Sequence, residues 1–180
     1  MNKPKLANAG LFLLIFFVGI GMMKAQLPYT IDNLRVPANH DRNRVFQKAV
    51  KFIENDDDLK LDSINEDSGF LLASGSFPYH NQVKCDLIDL SLELNKLTSG
   101  RIYYDFEVNV TDSTYFYTFT KFTHRNRTNS HRYNLGLITK ESKYFVDANR
   151  FDRDWTRLIH TDMIKTCDRM TRTKWIKIHW

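Results

Sequence analysis

Asp56, Asp57 and Asp58, followed by Asp62, Glu66 and Asp67, form an acidic run whose side chains could hold a divalent cation. A calcium loop takes its first ligands from alternate acidic positions and bends at a glycine. Here Lys60 stands where the third oxygen ligand belongs and Leu61 where the glycine belongs, so the run reads as a solvated helix end and turn. The histidines are His40, His80, His124, His131, His160 and His179. No two have the i, i+4 spacing of a helical zinc site, and there is no HExxH. The chain also lacks GxSxG, SxxK and the phosphate-binding glycine loop. No metal, no cofactor and no enzyme activity are expected, and an envelope hydrolase is the weakest of the functional readings.

Cys85 and Cys167 are the two cysteines, too few for a four-thiolate metal site. Cys167 falls on an apolar helical stripe, where cysteine behaves as a small hydrophobe. The alternative is a Cys85–Cys167 disulfide, worth ~4 kcal/mol in the chain-entropy model. Lys121, Arg125, Arg127 and Arg132, with His124 and His131, form the densest basic cluster. Its partners outside the cytoplasm would be lipid headgroups, acidic glycans or acidic proteins; the plainer reading is a solvated loop. Eight aromatics crowd between Tyr103 and Phe122. Period two puts Tyr115, Tyr117 and, by parity, Lys121 on one face, a candidate stacking platform with a charge beside it. Phe116 and Phe122 fall on the opposite face by the same parity. The alternative is that these aromatics are cross-strand pairs stabilising a hairpin.

The elements that must position these residues follow from periodicity. Tyr29 to Val36 reads as a first strand closed by Pro37, after which Asn39 or Asp41 can cap a helix. Val45, Phe46, Ala49, Val50 and Ile53 fall on one buried helical stripe that ends at Asn55 to Asp58. Strands follow at Leu59 to Ile64, Phe70 to Phe77, Ile88 to Leu94, Ile102 to Val110 and Tyr115 to Thr123, with Gly75 a bulge or close-packing point. Arg125 to Asn149 reads as a long polar loop. Phe151, Trp155, Ile159, Met163 and Cys167 define an amphipathic helix, and Lys174 to Trp180 alternates like an edge strand or loose tail.

The 180 residues carry 26 basic and 21 acidic side chains, but Lys3, Lys5 and Lys24 supply three of that surplus of five. The rest of the chain is close to neutral, which argues against a nucleic-acid partner. Lys3 and Lys5, the apolar block Leu11 to Ile20 and Ala25 have the order of a secretory signal, residues 1–25, followed by one domain, residues 26–180. The alternative is an uncleaved anchor, since the uncharged stretch between Lys5 and Lys24 reaches the lower limit of a membrane span. Either way the body is expected outside the cytoplasm, periplasmic or secreted, with membrane contact only through an uncleaved leader.

From Phe46 to His124 the chain resembles a bacterial domain of unknown function with a TBP-like fold (family four-four-six-eight). The matching points are Phe46, Ala49, Phe52-Ile53, Gly69 and Gly75, Ser76-Phe77, and Phe122 to His124. Phe52 stands where tryptophan is usual, and Asp112-Ser113 where the hairpin turn usually has Asp-Gly. The resemblance implies export by Gram-negative bacteria and an α+β architecture in the order β-α-β4-α, a curved antiparallel sheet with its helices on one face. The periodicity adds one strand around Leu87–Leu94. The family has no established activity. The expected function is therefore non-catalytic binding of an envelope glycan, lipid or protein partner. The alternative is a structural or assembly protein acting through its C-terminal helix and tail. Intact-mass analysis of the protein recovered from its native host should give a chain starting at Gln26; a chain retaining residues 1–25 would establish the anchor instead.

Overall fold

The computed structural model describes residues 27–32, 36–37, 41–83, 92, 95–112, 114–128, 134–140 and 153–178. The chain order is β1 (Ile31–Asp32), β2 (Val36–Pro37), α1 (Arg42–Glu54), β3 (Leu59–Asn65), β4 (Phe70–Tyr79), β5 (Gly100–Val110), β6 (Thr114–Asn126), β7 (Gly136–Leu137) and α2 (Arg153–Ile178). The strands form one antiparallel sheet ordered β1-β6-β5-β4-β3, with β2 and β7 also paired to β6. Both helices pack against the same face, so the protein is α+β. Among the described residues, no helix is long and apolar enough to cross a membrane.

α1 buries Val45, Phe46, Ala49, Val50 and Ile53, the stripe its spacing predicts. Its start is tied down by Arg42, whose guanidinium donates to the Glu66 carbonyl at 3.1 Å and the Asp67 carbonyl at 2.7 Å. These carbonyls belong to the turn that Gly69 closes with φ +72°, where a Cβ would lie 2.2 Å from the Val110 carbonyl oxygen. Only glycine fits there. Phe52 packs edge-on against Phe106, with ring centroids 6.4 Å apart. The β5–β6 hairpin lacks Asp-Gly but gains side-chain bonds. Thr111 Oγ1 accepts from the Thr114 amide at 3.1 Å and donates to the Thr114 carbonyl at 2.8 Å.

The inward face of the sheet is aromatic. Phe106 stacks on Phe119 at 4.8 Å, and Tyr104 packs against Phe77, Phe119 and Phe122 at 5.6 to 5.8 Å. Each such pair adds roughly 0.5–1.5 kcal/mol beyond the area it buries. The Tyr104 ring lies directly over Gly75, where an added Cβ would come within 2.4 Å of its Cζ. Gly75 is thus the close-packing point that the sequence marks.

α2 lays Ile159, Met163 and Cys167 into the same core. Polar contacts to distant segments hold it, among them one between the His160 ring Nε2 and the Thr139 carbonyl at 2.8 Å. Tyr79 donates to Asp162 at 2.8 Å, Tyr29 donates to Asp168 at 2.6 Å, and Lys174 Nζ donates to both Asp56 oxygens at 2.8 and 2.9 Å. The acidic run is a helix end and turn whose carboxylates are exposed, apart from that of Asp56. Asp56 is the counter-ion of a lysine whose side chain is only 8% exposed, and Asp58 lies 3.6 Å from the same ammonium. Removing one partner of such a pair costs about 3–5 kcal/mol, because the other charge stays buried.

Several expectations change. The first strand is two short ones, β1 and β2. Among the described residues no separate strand lies between β4 and β5, which pair directly from Phe70↔Asn109 to Tyr79↔Gly100. Leu92 and Asn95 to Thr98 are helical, and the remainder of the expected Leu87–Leu94 strand lies outside the described residues. The segment after Arg125 is not simply a long loop, since Leu135, Ile138 and Thr139 are buried and β7 joins the sheet. Lys174 to Ile178 continues α2 instead of forming an edge strand or tail. Its start at Lys174 is held by the ion pair to Asp56, a partner distant in sequence. The Gly75→Ala protein should lose about 1–3 kcal/mol in urea melts, with part of the loss recovered by adding Tyr104→Leu; no loss would show that the ring does not rest on the glycine.

Candidate functional site

With both helices on one face, the other face of the sheet is the candidate binding surface. Its composition depends on one irregularity in β6. Tyr103 pairs with Thr123, but Asp105 pairs with Thr120, so β6 spends three residues where β5 spends two. Lys121 sits at this bulge with φ +53°, the left-handed region that costs a lysine roughly 1–2 kcal/mol. Before it, odd positions face the helices; after it, even positions do.

That shift separates the three residues that parity groups together. Tyr115 and Tyr117 are 5% and 2% exposed, core residues under α1, so they offer no platform to solvent. Lys121 points to the open side and bonds Asp105 at 2.6 Å, a pairing that raises its pKa. Phe116 is on the open face at 37% exposure, whereas Phe122 is fully buried. The signal was present: the aromatics run Tyr115, Tyr117, Phe119 and then change parity at Phe122.

His124 also leaves the basic cluster, because its ring is buried edge-on against Tyr79 at 5.7 Å. Its Nδ1 accepts the Leu135 amide at 3.2 Å. Its Nε2 makes no hydrogen bond of good geometry, and the nearby Thr98 backbone offsets only part of the effect of burial, which lowers the pKa to about 4. Cys167 is a buried free thiol, and burial pushes its pKa up, away from a reactive thiolate. Cys85, the other half of the expected Cys85–Cys167 disulfide, lies outside the described residues, as do His131 and Arg132. Among the described residues, no group of three or more potential ligands is placed to hold a metal.

What the open face does assemble is a pair of arginines. Arg101 and Arg125 stand directly opposite each other on β5 and β6. Neither meets a carboxylate among the described residues. Arg101 donates to Ser76 Oγ at 2.9 and 3.2 Å, and Arg125 lies over the Tyr103 ring at 5.1 Å. Tyr103 is 39% exposed, but its ring face already carries a guanidinium. The surface therefore presents cations, not a bare ring for sugar stacking. Like charges directly opposite in a sheet destabilise it, and an anion between them would remove that repulsion. Sequence reading placed Arg125 in the basic cluster. It missed Arg101, because only the register reveals its partner.

The strand order and one-sided helices define an α+β antiparallel-sheet protein. No family profile matches the chain, and no curated protein matches it. Among solved structures it is similar to a TBP-like protein from Parabacteroides distasonis, with TM-score 0.47 and 12% identity over 86% of this chain and 96% of that one. It is also similar to a DUF4468 family protein from Bacteroides ovatus, with TM-score 0.46 and 11% identity over 88% of this chain and 90% of that one.

The His124 environment has a consequence for stability. The folded protein resists the proton until about pH 4, while an unfolded histidine takes it near pH 6.5. Stability should thus fall as pH drops from about 6.5 to 4, by about 3 kcal/mol in all, and the slope should end below that. His124→Gln, which keeps an acceptor for Leu135, should lose most of this slope in urea melts at successive pH values. Equal slopes in the two proteins would mean that the imidazole is not held neutral.

Proposed function

We propose that the protein is a non-catalytic binding protein of the cell envelope that holds an acidic glycan against the open face of its sheet. The observation that carries this reading is the Arg101–Arg125 pair, opposed in register and without carboxylate partners among the described residues. Tyr103 and Ser76 fix the two guanidiniums in place, so little side-chain entropy is lost when an anion arrives. Arg127 extends the positive potential past the end of β6. The serines and threonine around them, Ser74, Ser76 and Thr123, suit the hydroxyls of a sugar chain. The envelope location comes from the leader. The assembly reading draws less support, because α2 is packed on the core from Ile159 to Lys174 and is not a free arm.

Immobilised polygalacturonate should retain the protein at low salt and release it as ionic strength rises, and neutral dextran should not retain it. Arg101→Gln combined with Arg125→Gln should weaken retention about tenfold or more without lowering the melting temperature, since the variant also removes a repulsion. Undiminished retention of that variant, or equal retention on dextran, would remove the sheet face as an acidic-glycan site.

A further inference from the structure

A second basic site lies in a cleft of about 320 Å³ between the end of β4 and α2. Pro78, His80 and Gln82 form one wall, and Asp162, Lys165, Thr166 and Arg169 form the other. The four helical residues share one face by their spacing. Lys165 and Arg169 stand one turn apart, an i, i+4 pair of like charges that weakens a helix. Both are exposed, and neither reaches a carboxylate among the described residues. Among the described lining residues the acid is Asp162, which the buried Tyr79 hydroxyl holds through Oδ2 while Oδ1 makes no hydrogen bond to a described residue. Such a carboxylate anchored on one side is positioned to accept a ligand hydroxyl, while the two cations beside it are positioned for an anion.

We propose that this cleft binds a small hydroxylated anion, a molecule of monosaccharide size carrying a carboxylate or a phosphate. The volume is at the lower end of small-molecule sites, which excludes an oligosaccharide or a lipid tail. Except for Pro78 the walls are polar, so no apolar ligand is favoured. Lys165 and Arg169 take the acidic group, with Arg169 able to bind two of its oxygens at once. Asp162 Oδ1 and the Gln82 amide take hydroxyls at the other end, and the Thr166 hydroxyl and His80 ring lie within the same walls. The proposal does not rest on glycan binding at the sheet face. The two sites lie at the same end of the sheet, because Pro78 is the strand partner of Arg101.

Titration calorimetry with the intact protein, using D-glucuronate, D-glucose 6-phosphate and D-glucose in turn, tests this. At least one of the two anions should bind with a millimolar or tighter dissociation constant and D-glucose should not, and the stronger anion tells carboxylate from phosphate. Lys165→Gln with Arg169→Gln should weaken that binding about tenfold or more at an unchanged melting temperature, since both side chains are exposed. Arg101→Gln with Arg125→Gln should leave it intact. The proposal is overturned if neither anion binds, if glucose binds as well as they do, or if the arginine-pair variant loses binding while the Lys165/Arg169 variant keeps it.

Discussion

β6 has to bury Tyr115, Tyr117 and Phe119 and then Phe122, His124 and Asn126 beneath the same helices, and a period of two allows this only if one residue is inserted between the sets. The insertion is the bulge at Lys121, whose left-handed backbone is the strained feature of the strand. Most of the core depends on it. Phe119 and Phe122 flank the bulge and both meet the Tyr104 ring, so that ring bridges the two halves of the strand. Tyr104 in turn lies flat only because Gly75 has no side chain beneath it. The open face inherits the same shift, which sends Thr123 and Arg125 outward.

α2 is oriented by polar contacts as much as by apolar ones. Ile159, Met163 and Cys167 supply hydrophobic stabilisation, roughly 1.5–3 kcal/mol for a large side chain fully buried, but burial alone is non-directional. The phenols of Tyr79 and Tyr29 and the ammonium of Lys174 specify which helical residues meet which part of the fold. The Lys174–Asp56 pair links the late part of α2 to the loop after α1, elements that share no strand. Asp162 works on both sides of this arrangement. One oxygen anchors the helix through Tyr79, and the other belongs to the wall of the cleft.

The charges follow a pattern that stability alone does not explain. Arg101 faces Arg125 across two strands, and Lys165 precedes Arg169 by one helical turn. Both placements set like charges side by side at a cost of some tenths of a kcal/mol. Elsewhere the protein pairs its cations readily, Lys121 with Asp105 and Lys174 with Asp56. Unpaired cations at one end of the sheet, on a surface otherwise near balance, concentrate positive potential where an anionic ligand would meet it.

The α1 stripe, the alternating strands β3 to β6 and the α2 stripe through Ile159, Met163 and Cys167 were determined by the amino-acid sequence itself, because each depends on a local repeat of apolar side chains. The close packing at Gly75 was legible for the same reason, as a missing side chain within a strand. The exposed face was not, since period two holds only until an inserted residue reverses it, and Tyr115, Tyr117 and Lys121 parted at that point. The turn at Asn95 to Thr98 and the continuation of α2 past Lys174 were decided by contacts between distant residues, which override weak local alternation. The same holds for the cations. That Arg101 stands against Arg125, and that His80 and Gln82 share a cleft with Lys165 and Arg169, follows from strand register and helix packing, and only the tertiary structure sets those.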